Sequence, residues 1–243
     1  MKKTLSASLT IAALVGSLTL GFGATTSSAA TSGASLPTLT KGFLTIGTDD
    51  PAYTPWFDSN KPSNGKGFES AVAYAVAKQL GFPASKVKWV KASFGTVIQP
   101  GKKAFDFDIN EVSITPERAK AVDFSTGYYD VAQALVTTTK SKIAKAKSIA
   151  DLATAALKNG QIDGLVLDLP TAFYVAGAEL TGGLIIGQFA PKAGSDQFGL
   201  VLSKGSSLTK SVSAAVDALR ANGTLKALAS KWLASVGGAP VLK

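Results

Sequence analysis

Several polar side chains stand directly after apolar segments, at points where the strands of an α/β protein would end. Asp49 and Asp50 follow one such segment, residues 110–115 (NEVSIT) follow a second, and Asp168 follows a third. In open α/β sheets, ligands bind outside the carboxyl ends of the strands, near the starts of helices. The sequence therefore predicts a ligand site built from these loops.

The side chains near these loops complement a zwitterion. Arg118 offers a planar guanidinium fork for a carboxylate, and Asp168 offers the opposite charge for an ammonium group. Aromatic side chains in the loops offer flat walls for an aliphatic or aromatic body: Tyr53, Trp56 and Phe94. Each group has a plainer alternative, because an arginine after a helix start can be a surface residue and an aspartate after a strand can cap a helix.

Composition excludes several kinds of chemistry. The chain has no cysteine and no histidine, which excludes disulfides, metal sites with His or Cys ligands, and catalytic triads based on either residue. No metal and no other cofactor is expected. The formal net charge is +9, but the lysines are scattered and no stretch interleaves aromatic residues with closely spaced Arg and Lys. Nucleic acid is therefore not an expected partner.

The first thirty residues have the pattern of a secretory signal peptide. Lys2 and Lys3 precede a mostly apolar stretch, residues 9–22, and the small residues 28–30 suit a signal-peptidase site. The alternative is an uncleaved membrane anchor, for which the apolar stretch is short. Residues 31–40 have the composition of a linker. Because no cysteine is available for lipoprotein acylation, we expect an exported protein, periplasmic or extracellular.

Apolar periodicity predicts helices that alternate with strands over the rest of the chain. Apolar residues recur every four positions from Phe68 to Leu80 and predict a helix over 68–80. Further helices are expected from Pro116, at 148–158, from 170 onward, at 208–221 and at 225–234, and strands at 43–46, 87–90, 105–109, 131–136, 162–167, 184–186 and 198–202. This alternation predicts a largely parallel α/β sheet with both faces covered.

One long segment carries a resemblance to a known family. Residues 113–136, SITPERAKAVDFSTGYYDVAQALV, resemble the signature of the bacterial extracellular solute-binding proteins of family 3, the receptors of ABC importers for polar amino acids. The resemblance covers most of the chain after residue 30, and its other segments are 46–56 (IGTDDPAYTPW), 67–81 (GFESAVAYAVAKQLG), 157–174 (LKNGQIDGLVLDLPTAFY), 198–208 and 221–233.

The resemblance implies roles for individual residues. Arg118 would bind the α-carboxylate of an amino acid, helped by the backbone amide and hydroxyl of Ser113. Asp168 would hold the α-ammonium group. Tyr53 and Phe94 occupy the positions of an aromatic pair that sandwiches the ligand side chain.

Three further positions correspond to those that tune side-chain selectivity in the family. They are Asp50, Asn110 and Glu111, and two acidic residues among them favour a cationic ligand such as arginine, lysine or ornithine. Glu111 has the alternative of pairing with a neighbouring lysine. Trp56 also has two interpretations: it forms a second aromatic wall of the site, or it packs in the core.

The resemblance also implies a two-lobed α/β fold of the periplasmic-binding-protein type II class. Lobe 1 would be discontinuous, formed by residues 41–130 and 198–243, and lobe 2 would be formed by residues 131–197. We expect lobe 2 to be shortened, because Leu152 runs directly into residues 153–158 without the family's usual strand, Gly-Thr-Thr-like turn and helix. In the family, that turn donates amides at a helix N-terminus to the ligand carboxylate.

The function implied is that of the extracytoplasmic substrate-binding component of an ABC importer. Such a protein binds a free polar amino acid between its lobes and delivers it to a membrane permease, without acting as an enzyme. We expect a monomer. Two alternatives remain, a degenerate or internally deleted member with weak or no ligand binding, and a dehydratase-type enzyme on the same fold with Glu111 or Asp168 as its general acid.

Overall fold

The computed structural model describes residues 35–141, 143–145, 147, 164–189, 196–233 and 240–242. The predicted signal peptide, the helix expected at 148–158 and the junction after Leu152 lie outside the described residues. No helix within the described ranges is long and apolar enough to cross a membrane.

The described residues form strands β1 (Leu44–Thr48), β2 (Val87–Lys91), β3 (Phe107–Asp108), β4 (Val122–Asp130), β5 (Gln133–Thr138), β6 (Leu165–Asp168), β7 (Gly183–Phe189), β8 (Gln197–Ser203) and β9 (Val241–Leu242). The α-helices are α1 (Phe68–Gln79), α2 (Phe94–Val97), α3 (Pro116–Ala121), α4 (Leu169–Tyr174), α5 (Thr209–Ala221) and α6 (Thr224–Trp232). A π-helical turn, Val175–Glu179, follows α4. These bounds confirm the helices predicted at 68–80, 208–221 and 225–234 to within two residues.

The strands make two sheets, which we call the first sheet and the second sheet. The first sheet has the order β2-β1-β3-β8-β4, and the second has the order β6-β5-β7-β9. β1 is parallel to both of its neighbours, and all five of its residues are buried. A strand buried on both faces does not need alternating polar residues, and residues 43–46 contain a single one, Thr45.

The prediction of a largely parallel sheet is wrong for this protein. Four strand pairings among the described residues are antiparallel and three are parallel. In particular, β8 runs antiparallel to both β3 and β4. An alternation of apolar segments does not reveal strand direction, because direction depends on which distant segments pair. β4 was not predicted as a strand, since its burial pattern is irregular.

The chain passes directly from the first sheet to the second between β4 and β5. The Val131 amide donates a hydrogen bond to the Asp196 carbonyl (2.8 Å), and the Ala132 carbonyl accepts one from the Leu169 amide (2.7 Å). At the C-terminus, β9 joins the second sheet by pairing with β7. The sequence assigned residues 241–242 to lobe 1, because a two-residue strand leaves no periodic pattern.

The largest buried cluster covers one face of the first sheet. It is formed by α1 with α5 and α6, which pack against each other. The predicted apolar face of α1 is confirmed, with Phe68, Val72 and Val76 fully buried. Gly81 ends this helix with a φ of 85°, a left-handed conformation that costs glycine little. α1 thereby fixes the loops at the carboxyl edge of the first sheet, where the pocket described below lies.

Candidate functional site

A cavity of ≈ 380 Å³ lies at the carboxyl edge of the first sheet. It is lined by residues from the loops after β1 and β3, from α2 and α3, and from β8: Thr48, Asp49, Pro51, Ala52, Tyr53, Phe57, Phe94, Asn110, Glu111, Ser113, Arg118 and Phe198. We call this cavity the first-sheet pocket, because every lining residue belongs to elements or loops of that sheet. Its size suits a small organic ligand.

Arg118 is held in the first-sheet pocket by the start of α3. Pro116 occupies the first turn, as predicted, and the Thr115 hydroxyl caps the helix by accepting a hydrogen bond from the Arg118 amide (3.2 Å). The guanidinium donates from Nη1 to the Ser113 carbonyl (2.9 Å) and stands 5.2 Å from the centroid of the Phe94 ring. These contacts orient the guanidinium plane, and no salt bridge to Arg118 occurs among the described residues.

The loop between β3 and α3 brings three of the predicted site residues together. Asn110, Glu111 and Ser113 all line the first-sheet pocket. Ser113 forms an isolated bridge with Phe198, and the Ile114 amide donates to the Gln197 carbonyl (2.8 Å), so the loop is pinned to the start of β8. The Asn110 side-chain amide nitrogen is buried with no hydrogen-bond acceptor among the described residues.

Two neighbouring aspartates at the end of β1 lie in different surroundings. Asp49 lines the pocket, where its carboxylate accepts hydrogen bonds from the Asp50 amide (2.9 Å) and the Phe94 amide (3.4 Å). Asp50 is not a lining residue, because its carboxylate pairs with Lys91 (3.1 Å) and with the Asn60 side chain (3.1 Å). Those two contacts, first the Asn60 hydrogen bond and then Lys91, lower the pKa of Asp50.

Aromatic side chains form much of the pocket wall. Tyr53 and Phe94, the predicted aromatic pair, both line the pocket, and Tyr53 is 56% exposed. Trp56 does not line it and instead packs edge-on against Phe68 and Phe198, with ring centroids 5.6 and 6.0 Å apart. Of the two readings of Trp56, the core residue is therefore the one that the structure supports.

Two fully buried carboxyl groups stand close to the pocket loop. Glu69, in the first turn of α1, accepts a hydrogen bond from the Glu111 amide (2.8 Å), and burial raises its pKa to about 7. Asp108 precedes Asn110 by two residues, and burial, with the nearby Glu69 and Asp49 charges, raises its pKa well above the usual value. Neither residue was predicted, because a lone acid at a helix start or in a strand has no distinctive spacing.

Asp168 is the one predicted site residue that belongs to the second sheet. It is the last residue of β6 in the second sheet, where its backbone pairs with Gln133. Its position at a strand's carboxyl end agrees with the rule that selected it from the sequence. The pocket residues missed from the sequence include Phe57 and Phe198, whose aromatic character alone does not separate them from core residues.

The first-sheet pocket brings charged groups of both signs together with aromatic side chains. A cation, two carboxylates and aromatic walls face one cavity, in Arg118, Asp49, Glu111, Tyr53 and Phe94. Among the described residues, no group of three or more acidic side chains is arranged to hold a metal ion. Such a set can bind a small molecule that carries both an anionic and a cationic group.

Comparison with known proteins gives relatives that span most of the chain. The L-cystine-binding protein TcyJ of Escherichia coli (strain K12) is 28% identical over 239 residues, covering 84% of this chain and 85% of the relative. The ABC transporter glutamine-binding protein GlnH of Bacillus subtilis (strain 168) is 26% identical over 225 residues, covering 74% of this chain and 78% of GlnH.

A solved structure supports the same relationship. An ancestral arginine-binding protein bound to arginine is 27% identical and superposes with a TM-score of 0.55, covering 79% of this chain and 98% of that one. The resemblance expected from segments between residues 46 and 233 is confirmed, because the family profile matches residues 44–235. The chain therefore belongs to the bacterial extracellular solute-binding proteins, family 3.

Proposed function

We propose that this protein is the receptor of an ABC importer and that it binds one free polar amino acid in the first-sheet pocket. The observation that carries the proposal is Arg118. Its guanidinium faces the pocket, oriented by Ser113 and Phe94, and has no salt-bridge partner among the described residues. A ligand α-carboxylate would supply that partner in a charge-assisted pair.

We propose further that the ligand is cationic. The pocket contains one positive side chain, Arg118, and two negative ones, Asp49 and Glu111, so its formal charge is −1. An amino acid with a basic side chain carries a net charge of +1 and is complementary. Asp49 takes the place that the sequence had given to Asp50, whose carboxylate is engaged by Lys91. The relatives carry the names of arginine, glutamine and cystine binders, so the charge balance is what favours a basic ligand.

The second sheet would close over the ligand. Asp168, at the end of β6, would bind the α-ammonium group, and the connections around residues 131–136 and 198–202 would bend to bring the two sheets together. If lobe 2 lacks the amide-donating turn of the family, Arg118 carries the ligand carboxylate more nearly alone. Losing one or two charge-assisted hydrogen bonds of about 1.5–3 kcal/mol each would weaken binding at least about tenfold.

The remaining properties follow from this role. The protein would be exported by a signal peptide over residues 1–30 and would act as a soluble monomer outside the cytoplasmic membrane. The relatives named above are binding proteins, and transport requires that no bond of the ligand be made or broken. The liganded form would dock on a membrane permease of the importer.

Calorimetric titration of the purified protein against the twenty common amino acids and ornithine tests the proposal. We expect micromolar binding of one basic amino acid, with weaker binding of neutral ones. Absence of binding across the panel would refute the receptor role and favour a degenerate member. Product analysis with prephenate and arogenate is the control for dehydratase activity, and no turnover is expected.

A further inference from the structure

Glu69 is a buried acid on a helix whose other buried residues, apart from Ser70, are apolar. It lies in the first turn of α1, and it is fully buried together with its neighbour Phe68 and with Val72 and Val76 on the same helix. A buried carboxyl group is costly unless hydrogen bonds satisfy it, so an acid at this position needs a specific reason. The N-terminal end of a twelve-residue helix offsets part of that cost when the group is ionised.

The partners of Glu69 come from two distant parts of the chain. Oε1 accepts hydrogen bonds from the Tyr128 hydroxyl on β4 and from the backbone amide of Glu111, the latter at 2.8 Å. One carboxylate oxygen therefore joins α1, β4 and the loop between β3 and α3. Of these three, the loop is the part that lines the first-sheet pocket.

Glu111 has a backbone conformation that needs support. Its φ is 52°, in the left-handed region that residues with a Cβ seldom adopt outside turns. The residue before it, Asn110, lines the pocket, and Ser113, two residues after it, accepts the hydrogen bond from Arg118. A change of backbone conformation at Glu111 would therefore displace pocket residues on both sides of it.

We propose that Glu69 is a positioning residue of the binding site: its carboxylate holds the Glu111 amide and thereby fixes the loop that presents Asn110, Ser113 and Arg118 to the ligand. This role rests on the proposed amino-acid-binding function. Glu69 does not line the pocket and would act through the backbone alone.

Substitutions of Glu69 in the full chain separate the hydrogen-bond acceptor from the charge. Glu69→Gln keeps an acceptor oxygen and is expected to bind the preferred amino acid within about threefold of wild type. Glu69→Met keeps the length of the side chain but removes the acceptor, and we expect affinity to fall about tenfold or more. Glu69→Asp is a second variant, because its shorter side chain withdraws the carboxylate from the amide while keeping the charge; a similar loss is expected.

Asp106 provides a matched control. It is also a buried acid of the first sheet, and it accepts two backbone amide hydrogen bonds, from Leu39 and Thr45, each at 2.7 Å. It does not line the pocket and does not contact its loop. Asp106→Leu should lower the stability of the protein while leaving ligand affinity unchanged. Equal losses of affinity in Asp106→Leu and Glu69→Met would overturn the proposal, since Glu69 would then have only a general structural role.

Hydrogen exchange of the Glu111 amide, measured by NMR on the ligand-free protein, tests the positioning without any ligand. We expect protection in wild type and Glu69→Gln, and faster exchange by about tenfold or more in Glu69→Met and Glu69→Asp. Unchanged protection in both of the last two variants would refute the role of Glu69. If wild type binds no amino acid but the exchange pattern holds, the proposed function fails and the positioning of the loop stands.

Discussion

Among the residues that the structure describes, the two sheets differ in how many candidate ligand contacts they carry. The first sheet holds the whole lining of the described pocket, including Arg118, Asp49 and the aromatic wall. The second sheet offers Asp168 at the end of β6, a strand whose residues Leu165 and Val166 are 42% and 56% exposed. The first sheet thus carries a formed pocket, while the second sheet carries one predicted ligand contact among its described residues.

This difference indicates a division of labour in binding. The groups on the first sheet are oriented before a ligand arrives, as the contacts of Arg118 with Ser113 and Phe94 illustrate. Groups that are already oriented lose little conformational entropy on binding. The first sheet should therefore determine most of the affinity and the class of ligand. The second sheet would add affinity only when it closes, and its contribution is reduced by the cost of that closure.

The core of the first sheet should contribute more to stability than the core of the second sheet. Matched substitutions test this. Leu202 on β8 is fully buried in the large cluster, whereas Leu135 on β5 packs with three other buried residues among those that the structure describes. We expect Leu202→Ala to lower the free energy of unfolding by about 4–5 kcal/mol and Leu135→Ala by about 2–3 kcal/mol, because fewer of the described residues pack around Leu135. Urea unfolding measures both, and an equal or larger loss at Leu135 would contradict the comparison.

The buried acid behind the first-sheet pocket should give stability a distinct pH dependence. Burial raises the pKa of Glu69 to about 7, from an ordinary value of 4.5. The folded protein therefore keeps a proton that the unfolded chain releases above pH 4.5, so the stabilisation is complete below that pH and is lost as the pH rises through 7. The loss is about 3 kcal/mol.

Unfolding free energies of wild type and Glu69→Gln at pH 4.5 and pH 8 measure this effect. The wild type should lose stability relative to the variant on going to the higher pH, since glutamine does not titrate. A difference between the two proteins that stays constant with pH would show that Glu69 does not titrate in this range.

Much of the first sheet could be predicted from the sequence, and the reasons are local. The four-residue period from Phe68 to Val76 and the proline at the start of α3 are signals that a short window contains. That Asn110, Glu111 and Ser113 lie together at the pocket could be predicted as well, because they follow a strand and lie in or next to a segment that resembles a family signature.

What could not be predicted depends on distant partners. The salt bridge of Asp50 with Lys91 and its hydrogen bond with Asn60 could not be predicted. Contacts between the ends of neighbouring elements have no characteristic spacing in the sequence. The antiparallel pairing of β8 with β3 and β4 likewise joins segments far apart in sequence. The shortening of lobe 2 rests on the junction after Leu152 and stays a prediction.

Removal of the arginine should have the largest effect on binding. Arg118→Ala deletes the carboxylate partner on the preorganised side, and we expect the affinity for the preferred amino acid to fall about 100-fold, equivalent to about 2.7 kcal/mol. Arg118→Lys keeps the charge but loses the planar fork, so its affinity should lie between those of wild type and Arg118→Ala. Calorimetric titration measures the affinities of all three proteins. Unchanged affinity in Arg118→Ala would show that the ligand carboxylate binds elsewhere.

Asp168→Asn measures the contribution of the second sheet with little change of side-chain size. We expect a loss of affinity of about tenfold, smaller than that of Arg118→Ala, because part of the contribution is spent on closure. Unfolding free energies of both proteins, measured alongside, separate a loss of ligand contact from a loss of stability. A loss larger than that of Arg118→Ala would reverse the division of labour between the sheets.

The ratio of affinities for a charged and a neutral ligand should distinguish the two aspartates at the end of β1. Asp49 lines the pocket, so Asp49→Asn should weaken binding of a basic amino acid about tenfold while affecting a neutral analogue, such as citrulline for arginine, far less. Asp50 is exposed and paired with Lys91, so Asp50→Asn should change either affinity by less than about twofold. Competition titrations with the charged and neutral ligands measure the ratio. The opposite result, in which Asp50→Asn alters that ratio and Asp49→Asn does not, would support the prediction of Asp50 from the sequence. Asp50 would then contribute the negative charge that the ligand side chain meets.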